Sequence, residues 1–130
     1  MATWDLSQTK HHVLFCNGGS CNKWGAEEVT QAIRNEISKR NLDDQIHTTR
    51  TRCNGRCDDR CVAVVYPSGE WYKGLNPEDA GTFVNSLVLN RDLTGKVSHT
   101  YTGDGFIREE GIAKGISKDP QKVKRVSKQY

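Results

Sequence analysis

The sequence predicts one α/β domain with a mixed β-sheet, in the order β-α-β-β-β-α, followed by a basic C-terminal extension. Short apolar runs typical of buried strands alternate with stretches of helical period, and a proline-glycine turn joins two strands into a hairpin. A chain of 130 residues has the size of one domain with one core. We expect an N-terminal arm at 1–10, the domain at 11–90 and the extension at 91–130.

The first strand and helix are predicted from a change in hydrophobic period. Residues 11–15 end in the apolar run Val13–Phe15 and lead into Cys16 and the turn residues 17–20, as expected of a buried strand that enters a loop. Over 24–40, apolar residues recur at spacings of three and four, which places them on one face of a helix. They are Ala26, Val29, Ile33 and Ile37.

Three further strands and a second helix follow. Residues 45–52 are rich in β-branched side chains, and the apolar run 62–66 is joined through a turn at 67–69 to an antiparallel return at 70–73. The second helix begins with an asparagine that suits the N-cap and a proline that suits the first turn. These residues are Asn76 and Pro77, and the apolar stripe behind them is Ala80, Phe83, Val84, Leu87 and Val88.

The extension differs from the domain in charge. Residues 1–90 carry 10 Lys+Arg and 11 Asp+Glu, whereas residues 91–130 carry 9 and 5. The stretch 97–102 alternates like a strand, and a glycine-rich turn allows it to return through 106–108. From Gly111 onward we expect a mobile basic tail, without a recognisable nucleic-acid-binding module. Its cations are Lys114, Lys118, Lys122, Lys124, Arg125 and Lys128.

The composition indicates a cytoplasmic protein without a membrane segment. Apolar content of 35% and charged content of 27% are typical of a globular chain with a charged surface. The longest apolar run, at 62–66, is far shorter than the roughly 20 residues that cross a bilayer. Residues 1–5 do not resemble a secretory signal. In a reducing compartment, clustered cysteines favour metal binding or catalysis over disulfides.

The five cysteines form two groups, and both lie in glycine-containing loops. Cys16 and Cys21 are separated by four residues, and Cys53, Cys57 and Cys61 are separated by three residues each. A [2Fe-2S] cluster suits two loops that each contribute a pair, because each iron needs two protein sulfurs. Glycine lets backbone N–H groups approach the thiolates closely. By spacing alone, either Cys57 or Cys61 can complete the set of four.

Other interpretations of the cysteines are less favoured. Structural zinc usually takes cysteines from C-x2-C turns, and neither group has that form. A thioredoxin-type redox enzyme needs a C-x-x-C motif, which this sequence lacks. Unrelated buried thiols are a poor explanation of five cysteines in two loops. His11 and His12 allow a Rieske-type iron, but they open a strand and four cysteines are already in place.

The segments 13–26, 51–57 and 62–72 resemble the thioredoxin-like [2Fe-2S] ferredoxins, which are also similar to the small cluster-bearing subunit beside the flavoprotein of respiratory complex I. The resemblance covers about residues 10–90. It implies a thioredoxin-like fold, a [2Fe-2S] cluster and one-electron transfer rather than enzymatic catalysis. It further implies that the ligands are Cys16, Cys21, Cys53 and Cys57. The family usually has proline at the position of Cys61, so Cys61 is expected to be a non-ligating thiol.

The resemblance also implies redox partner proteins, a low potential and often a homodimer. Some stand-alone members lie among cobalamin-biosynthesis genes, which makes that pathway a candidate, with a cytoplasmic reductase or biosynthetic enzyme as the acceptor. The basic tail would then be solvated or would dock an acidic redox partner. The alternatives are a redox-sensing or partner-binding iron-sulfur protein and a structural zinc protein with four cysteine ligands.

Arginines and aromatic residues surround the cysteine loops. Arg52, Arg56 and Arg60 flank the second group, where they either offset the negative charge of a cluster or are solvated. Aromatic side chains at a helix start and on a hairpin favour packing in the core or in a dimer over shielding of a cluster. These are Trp24, Trp71 and Tyr72.

Overall fold

The computed structural model describes residues 2–127, with side chains described through residue 125. Met1 and residues 128–130, which include Lys128 of the predicted tail, lie outside the described residues. The strands are β1 (His11–Cys16), β2 (Ile46–Thr51), β3 (Ala63–Tyr66), β4 (Glu70–Tyr72), β5 (Val97–Tyr101) and β6 (Phe106–Arg108). The α-helices are α1 (Gly19–Lys23), α2 (Ala26–Lys39), α3 (Ala80–Val88) and α4 (Pro120–Ser127), and short 3-10 turns cover Cys57–Asp59 and Pro77–Asp79.

The strands form one mixed sheet in the order β2-β1-β3-β4-β5-β6. β1 and β2 are parallel, with α2 in the connection between them, and each of the other neighbouring pairs is antiparallel. Parallel neighbours need a crossover of this kind because a tight turn cannot join them. The predicted β-α-β-β-β-α order is therefore present, with α1 and the β5–β6 hairpin added to it.

The core lies between the sheet and helices α2 and α3. The predicted face of α2 is buried, and so is that of α3 except for Val88, which is 50% exposed. Tyr72 packs edge-on against Phe83 with ring centroids 5.2 Å apart. Such a contact adds to the free energy gained from removing both rings from water. The largest fully buried side chains around this contact are Phe15, Ile33, Leu75, Val13, Val29, Val65 and Val84.

The helix expected over 24–40 differs from the structure at its start. Gly25 has a left-handed backbone with φ of 91°, and it separates α2 from the short helix α1 that the sequence analysis treated as a loop. Only glycine adopts that conformation at little cost, so the break is encoded at this position. The consequence for the site is that Cys21 lies on a helix.

The sheet continues beyond residue 90. The hairpin that the sequence allowed is present as β5 and β6, and the aromatic rings of Tyr101 and Phe106 lie 5.1 Å apart within it. A Cβ atom at Gly69 would lie 2.8 Å from Cβ of Tyr101, so glycine at this turn lets the chain pass closely. The division of the chain at residue 90 stays a prediction about folding units.

The tail after Gly111 contains regular structure that the sequence analysis did not expect. Ile112 is buried with 5% exposure, and α4 begins at Pro120. Oδ1 of Asp119 accepts a hydrogen bond of 2.8 Å from the backbone N–H of Lys122, as an N-cap residue does. An Asp-Pro pair before a run of good helix formers was the available signal. Within residues 2–127, no helix has the length and apolar character that spanning a bilayer requires.

Candidate metal centre

Both cysteine groups lie at one edge of the sheet. β1 ends at Cys16, which stands opposite Thr51 at the end of β2. The carboxyl ends of parallel neighbours meet at the same edge, so the loops that follow them are adjacent. The first loop leads into α1 with Cys21, and the second carries Cys53, Cys57 and Cys61 to the start of β3.

The two loops touch at Gly18 and Cys53. A Cβ atom built on Gly18 would lie 2.8 Å from both Cα and Cβ of Cys53, a distance that real Cβ atoms essentially never show. Asn54 adds a polar link, because its backbone and its side chain both donate hydrogen bonds to the sulfur of Cys16. The two groups of cysteines are thus held against each other by a glycine and an asparagine. Sequence reasoning gave these two residues no such role.

Cys16 and Cys21 form a buried, hydrogen-bonded pair. Burial would raise the pKa of Cys16, but hydrogen bonds from the N–H groups of Gly18 and Asn54, with others from the side chains of Cys21 and Asn54, hold that pKa below its usual value. Burial, with the hydrogen bond to Cys16 and the charge of Cys16, raises the pKa of Cys21 to about 12. Cys16 is therefore the first of the pair to become a thiolate.

Cys53 and Cys57 form the second pair, with their sulfurs 3.8 Å apart. Cys53 is half-buried and Cys57 is exposed. The backbone N–H of Gly55 donates a hydrogen bond of 3.3 Å to Sγ of Cys53. Burial, the hydrogen bond to Cys53 and the charges of Cys53 and Cys16 together raise the pKa of Cys57. The negative charge of Cys16 thus acts on a cysteine of the other pair.

The thiol of Cys16 donates to one backbone carbonyl, that of Arg52 at 3.7 Å, whereas the thiol of Cys61 donates to two. Its buried Sγ donates to the backbone carbonyls of Trp24, at 3.3 Å, and Cys21, at 3.8 Å. Burial, followed by the negative charges of Cys16 and Glu28, raises the pKa of Cys61. A thiol that donates to two carbonyls is kept in its protonated form.

The donor set fits a two-iron cluster by its chemistry. Each of the two loops supplies a pair of cysteine thiols, and each iron of a [2Fe-2S] cluster binds two protein sulfurs. Backbone N–H groups already donate to sulfurs in both pairs, as anionic clusters require. Within residues 2–127, no three His, Cys, Asp or Glu side chains converge on a single point as ligands of one metal ion. Neighbouring thiolates repel each other, and a bound metal cation offsets this repulsion.

A cation-aromatic pair borders the exposed side of the site. The guanidinium of Arg60 lies 4.5 Å from the centroid of the Trp24 ring, and its Nη1 donates a 2.8 Å hydrogen bond to the carbonyl of Cys57. Trp24 does not pack in the core, because 65% of this residue is exposed, and the alternative of packing in a dimer stays a prediction. Tyr72 is fully buried, and Trp71 packs edge-on against His99 and Phe106.

His11 and His12 lie at the other end of β1 from Cys16. Cys16 lies four residue steps along the strand from His12, which corresponds to roughly 13 Å. His12 instead contacts Oγ1 of Thr49 through its Nε2 at 2.8 Å. The Rieske-type alternative therefore finds no support in the geometry.

The fold and the paired thiols define the class of this molecule, which is that of small proteins built to hold an iron-sulfur cluster. Comparison with known proteins identifies the family. The model of the thioredoxin-like [2Fe-2S] ferredoxins matches residues 5–88, and the chain belongs to this family. A relative from Priestia megaterium, assigned as a 2Fe-2S ferredoxin, is 50% identical over 111 residues, which are 85% of this chain and 87% of the relative.

A second relative and a solved structure agree with this assignment. A 2Fe-2S ferredoxin of Clostridium pasteurianum is 29% identical over 92 residues, covering 65% of this chain and 90% of that protein. The structure of a thioredoxin-like [2Fe-2S] ferredoxin from Aquifex aeolicus has a TM-score of 0.68 and 30% identity, and the match covers 72% of this chain and 94% of the other.

These matches confirm the predicted family, the thioredoxin-like fold and the [2Fe-2S] cluster as cofactor. Membership of a ferredoxin family implies an electron-transfer protein.

Proposed function

We propose that Cys16, Cys21, Cys53 and Cys57 hold the [2Fe-2S] cluster, and that the protein passes single electrons to redox partner proteins. The observation that carries this proposal is the pairing of these four thiols across two loops in contact at Gly18 and Cys53. The two hydrogen bonds that the Cys61 thiol donates to the carbonyls of Cys21 and Trp24 support its omission from the ligand set. The bound cluster supplies a one-electron redox couple.

The protein's own groups tune and orient the site. The N–H groups of Gly18, Gly55 and Asn54 donate to sulfur, which stabilises the additional negative charge of a reduced cluster. Cys16 and Cys21 are buried, whereas Cys57 is exposed. A partner therefore approaches on the side of Cys57, beside the exposed Trp24 and the half-buried Arg60.

A serine scan of the five cysteines tests the ligand assignment. The anaerobically purified protein should be red-brown, should bleach with dithionite and should give a rhombic EPR signal. Serine at any of the four proposed ligands should remove or change these signals, while Cys61→Ser should leave them unaltered. Matching crystal structures of single cysteine-to-serine variants exist for the Aquifex aeolicus ferredoxin, so such changes are compatible with this fold.

Three results would contradict the proposal in different ways. A colourless protein with one bound zinc would show that the four cysteines form a structural zinc site rather than a cluster site. Loss of the cluster signals in Cys61→Ser, together with unaltered signals in Cys57→Ser, would show that Cys61 rather than Cys57 is the fourth ligand. A cluster that alters partner affinity without reversible electron delivery would make the protein a sensor rather than a carrier.

The proposal extends to the cellular setting. We place the protein in the cytoplasm, as a homodimer, with a reductase or biosynthetic enzyme as acceptor and cobalamin biosynthesis as the candidate pathway. The relationship to ferredoxins supports redox partners. The excess of Lys and Arg over residues 91–130 supports an acidic partner surface. Re-oxidation of the reduced protein by purified acceptors, its salt dependence, and light scattering of the holoprotein test these points.

A further inference from the structure

The chain after β6 folds back onto the loop that carries Cys53 and Cys57. We call residues 109–115 the strap. We propose that the strap holds this ligand loop in place through Arg56, which makes Arg56 a positioning residue for the cluster. The inference rests on the proposed function in one respect, that Cys53 and Cys57 are ligands.

Arg56 lies between the two cysteines and makes contacts in two directions. Its Nε donates to Oδ2 of Asp59 at 2.7 Å, and its Nη2 donates to the carbonyl of Ala113 at 2.6 Å. The side chains of Arg56 and Asp59 are only 17% and 6% exposed, so this ion pair is shielded from water. A guanidinium fixed by two acceptors in different segments has little freedom to rotate.

The strap has its own anchors, which keep Ala113 in position. Ile112 is 5% exposed, and its carbonyl accepts a hydrogen bond of 2.5 Å from Nη1 of Arg108. The backbone N–H of Glu109 donates to the carbonyl of Ser98 in β5 at 2.8 Å. The strap is therefore attached to the sheet, and it connects the sheet to the ligand loop.

The last residue of the strap, Gly115, also lies close to the guanidinium of Arg56. A Cβ atom on Gly115 would lie 3.4 Å from Nη1 of Arg56, at the close end of van der Waals contact. The backbone at 113 and the small residue at 115 thus contact the arginine at two points. This close fit favours a specific arrangement over a loosely solvated tail.

Fixing Arg56 constrains the backbone that serves the cluster. Gly55, directly before it, donates its N–H to Sγ of Cys53, and the carbonyl of Arg56 accepts from the N–H of Asp59 at 2.9 Å. Release of the guanidinium frees both peptides, so the N–H···S bond weakens and the loop opens more readily. Weaker donation to sulfur destabilises the reduced cluster and lowers its potential.

The strap lies outside the residues that the family model matches, whereas Arg56 and Asp59 lie within them. The family model ends at residue 88, whereas the strap begins at residue 109. The inference therefore concerns the extension of this chain, and it assigns the extension a role at the cluster.

The test uses full-length holoprotein and three variants, namely Arg56→Ala, Ile112→Ala and the double variant. Cluster loss to an iron chelator is followed by visible absorbance. Loss of a hydrogen bond to a charged group changes an equilibrium constant by roughly tenfold. We therefore expect each single variant to lose the cluster about tenfold faster than the wild type. The double variant should be no faster than Arg56→Ala, because both changes disable one connection.

Matched controls separate the strap from general effects. Ile116→Ala makes the same chemical change four residues away, where the side chain is 77% exposed, and should leave the rate unaltered. Arg125→Ala removes an exposed arginine from α4 with the same expectation. Arg56→Lys retains the charge without the forked contacts, so it should keep the fast cluster loss. Ile112→Ala should lower the midpoint potential although it changes no charge.

Each result decides a separate point. Amide hydrogen exchange of the same proteins should be faster in 109–115 for Arg56→Ala, whichever cysteines bind iron. Unaltered exchange in 109–115 would show that Arg56 does not hold the strap. Faster exchange with an unaltered rate of cluster loss would show that the strap does not affect the cluster. Additive rates in the double variant would also overturn the mechanism. Failure of the ligand assignment is detected independently by the serine scan.

Discussion

Gly18 lies so close to Cys53 that a side chain at position 18 would place its Cβ 2.8 Å from the backbone Cα of the cysteine. This contact joins a loop that follows β1 to a loop that follows β2. It explains how cysteines more than thirty residues apart in the sequence come to share one site.

We predict that Gly18→Ala destabilises the cluster site. The new methyl group meets backbone rather than a flexible side chain, so one loop must shift, at a cost of about 1–3 kcal/mol. Reconstitution with iron and sulfide, followed by visible absorbance, should give a lower cluster content and faster loss. Gly19→Ala is the matched control, because a Cβ there meets nothing within 4 Å. Equal cluster content in both variants would argue against a role for this contact.

We predict that Cys61 contributes to stability rather than to ligation. Cys61→Ser keeps a donor for the carbonyls of Cys21 and Trp24, so the visible spectrum and the unfolding midpoint should be nearly those of the wild type. Cys61→Ala leaves both carbonyls without this donor and should cost about 1 kcal/mol in the free energy of unfolding. Chemical denaturation of both variants checks this. A serine variant less stable than the alanine variant would contradict it.

A carboxyl pair should make stability depend on pH. A hydrogen bond to Glu70, then burial and the charges of Glu70 and Glu109, raise the pKa of Asp92 from 3.8 to about 6. The folded protein binds this proton more tightly than the unfolded chain does. The stabilisation that Asp92 adds to the free energy of unfolding therefore falls as the pH rises from about 4 to about 6. Asp92 is exposed, and screening by solvent keeps the change below about 1 kcal/mol.

Asp92→Asn should remove this part of the pH dependence, and unfolding midpoints measured across the interval will reveal it. Asp104→Asn, at an exposed turn between β5 and β6, serves as the control and should retain the wild-type slope. An unaltered slope in Asp92→Asn would show that the pair does not hold the proton.

The start of the α3 region supplies a further test. Oδ2 of Asp79 accepts a 2.8 Å hydrogen bond from the backbone N–H of Asn76 and lies 3.4 Å from Nζ of Lys96. Asp79→Ala removes both interactions and should cost about 1 kcal/mol in the free energy of unfolding. Glu78→Ala, at the exposed neighbouring position, should cost far less. Similar losses in thermal unfolding for the two variants would contradict a capping role.

Local patterns in the sequence determined the elements of the domain and the location of the cysteines. Apolar period, the Asn76-Pro77 start and the turn at 67–69 act over a few residues, so they can be interpreted without knowledge of the fold. The same signals at Asp119 and Pro120 would have predicted α4. Both cysteine groups lie at strand ends, as predicted, but Cys21 lies on α1 rather than in a loop.

Only the tertiary structure decided which groups meet. The direction of the Cys61 thiol depends on the carbonyls of Cys21 and Trp24, 40 and 37 residues earlier. The contact of Arg56 with Ala113 spans 57 residues. The exposure of Trp24 likewise depends on where α1 lies. Such contacts follow from sheet register and from the packing of distant segments, and no local pattern encodes them. Spacing alone leaves Cys57 and Cys61 equivalent, and their different surroundings in the fold support the proposed choice of Cys57.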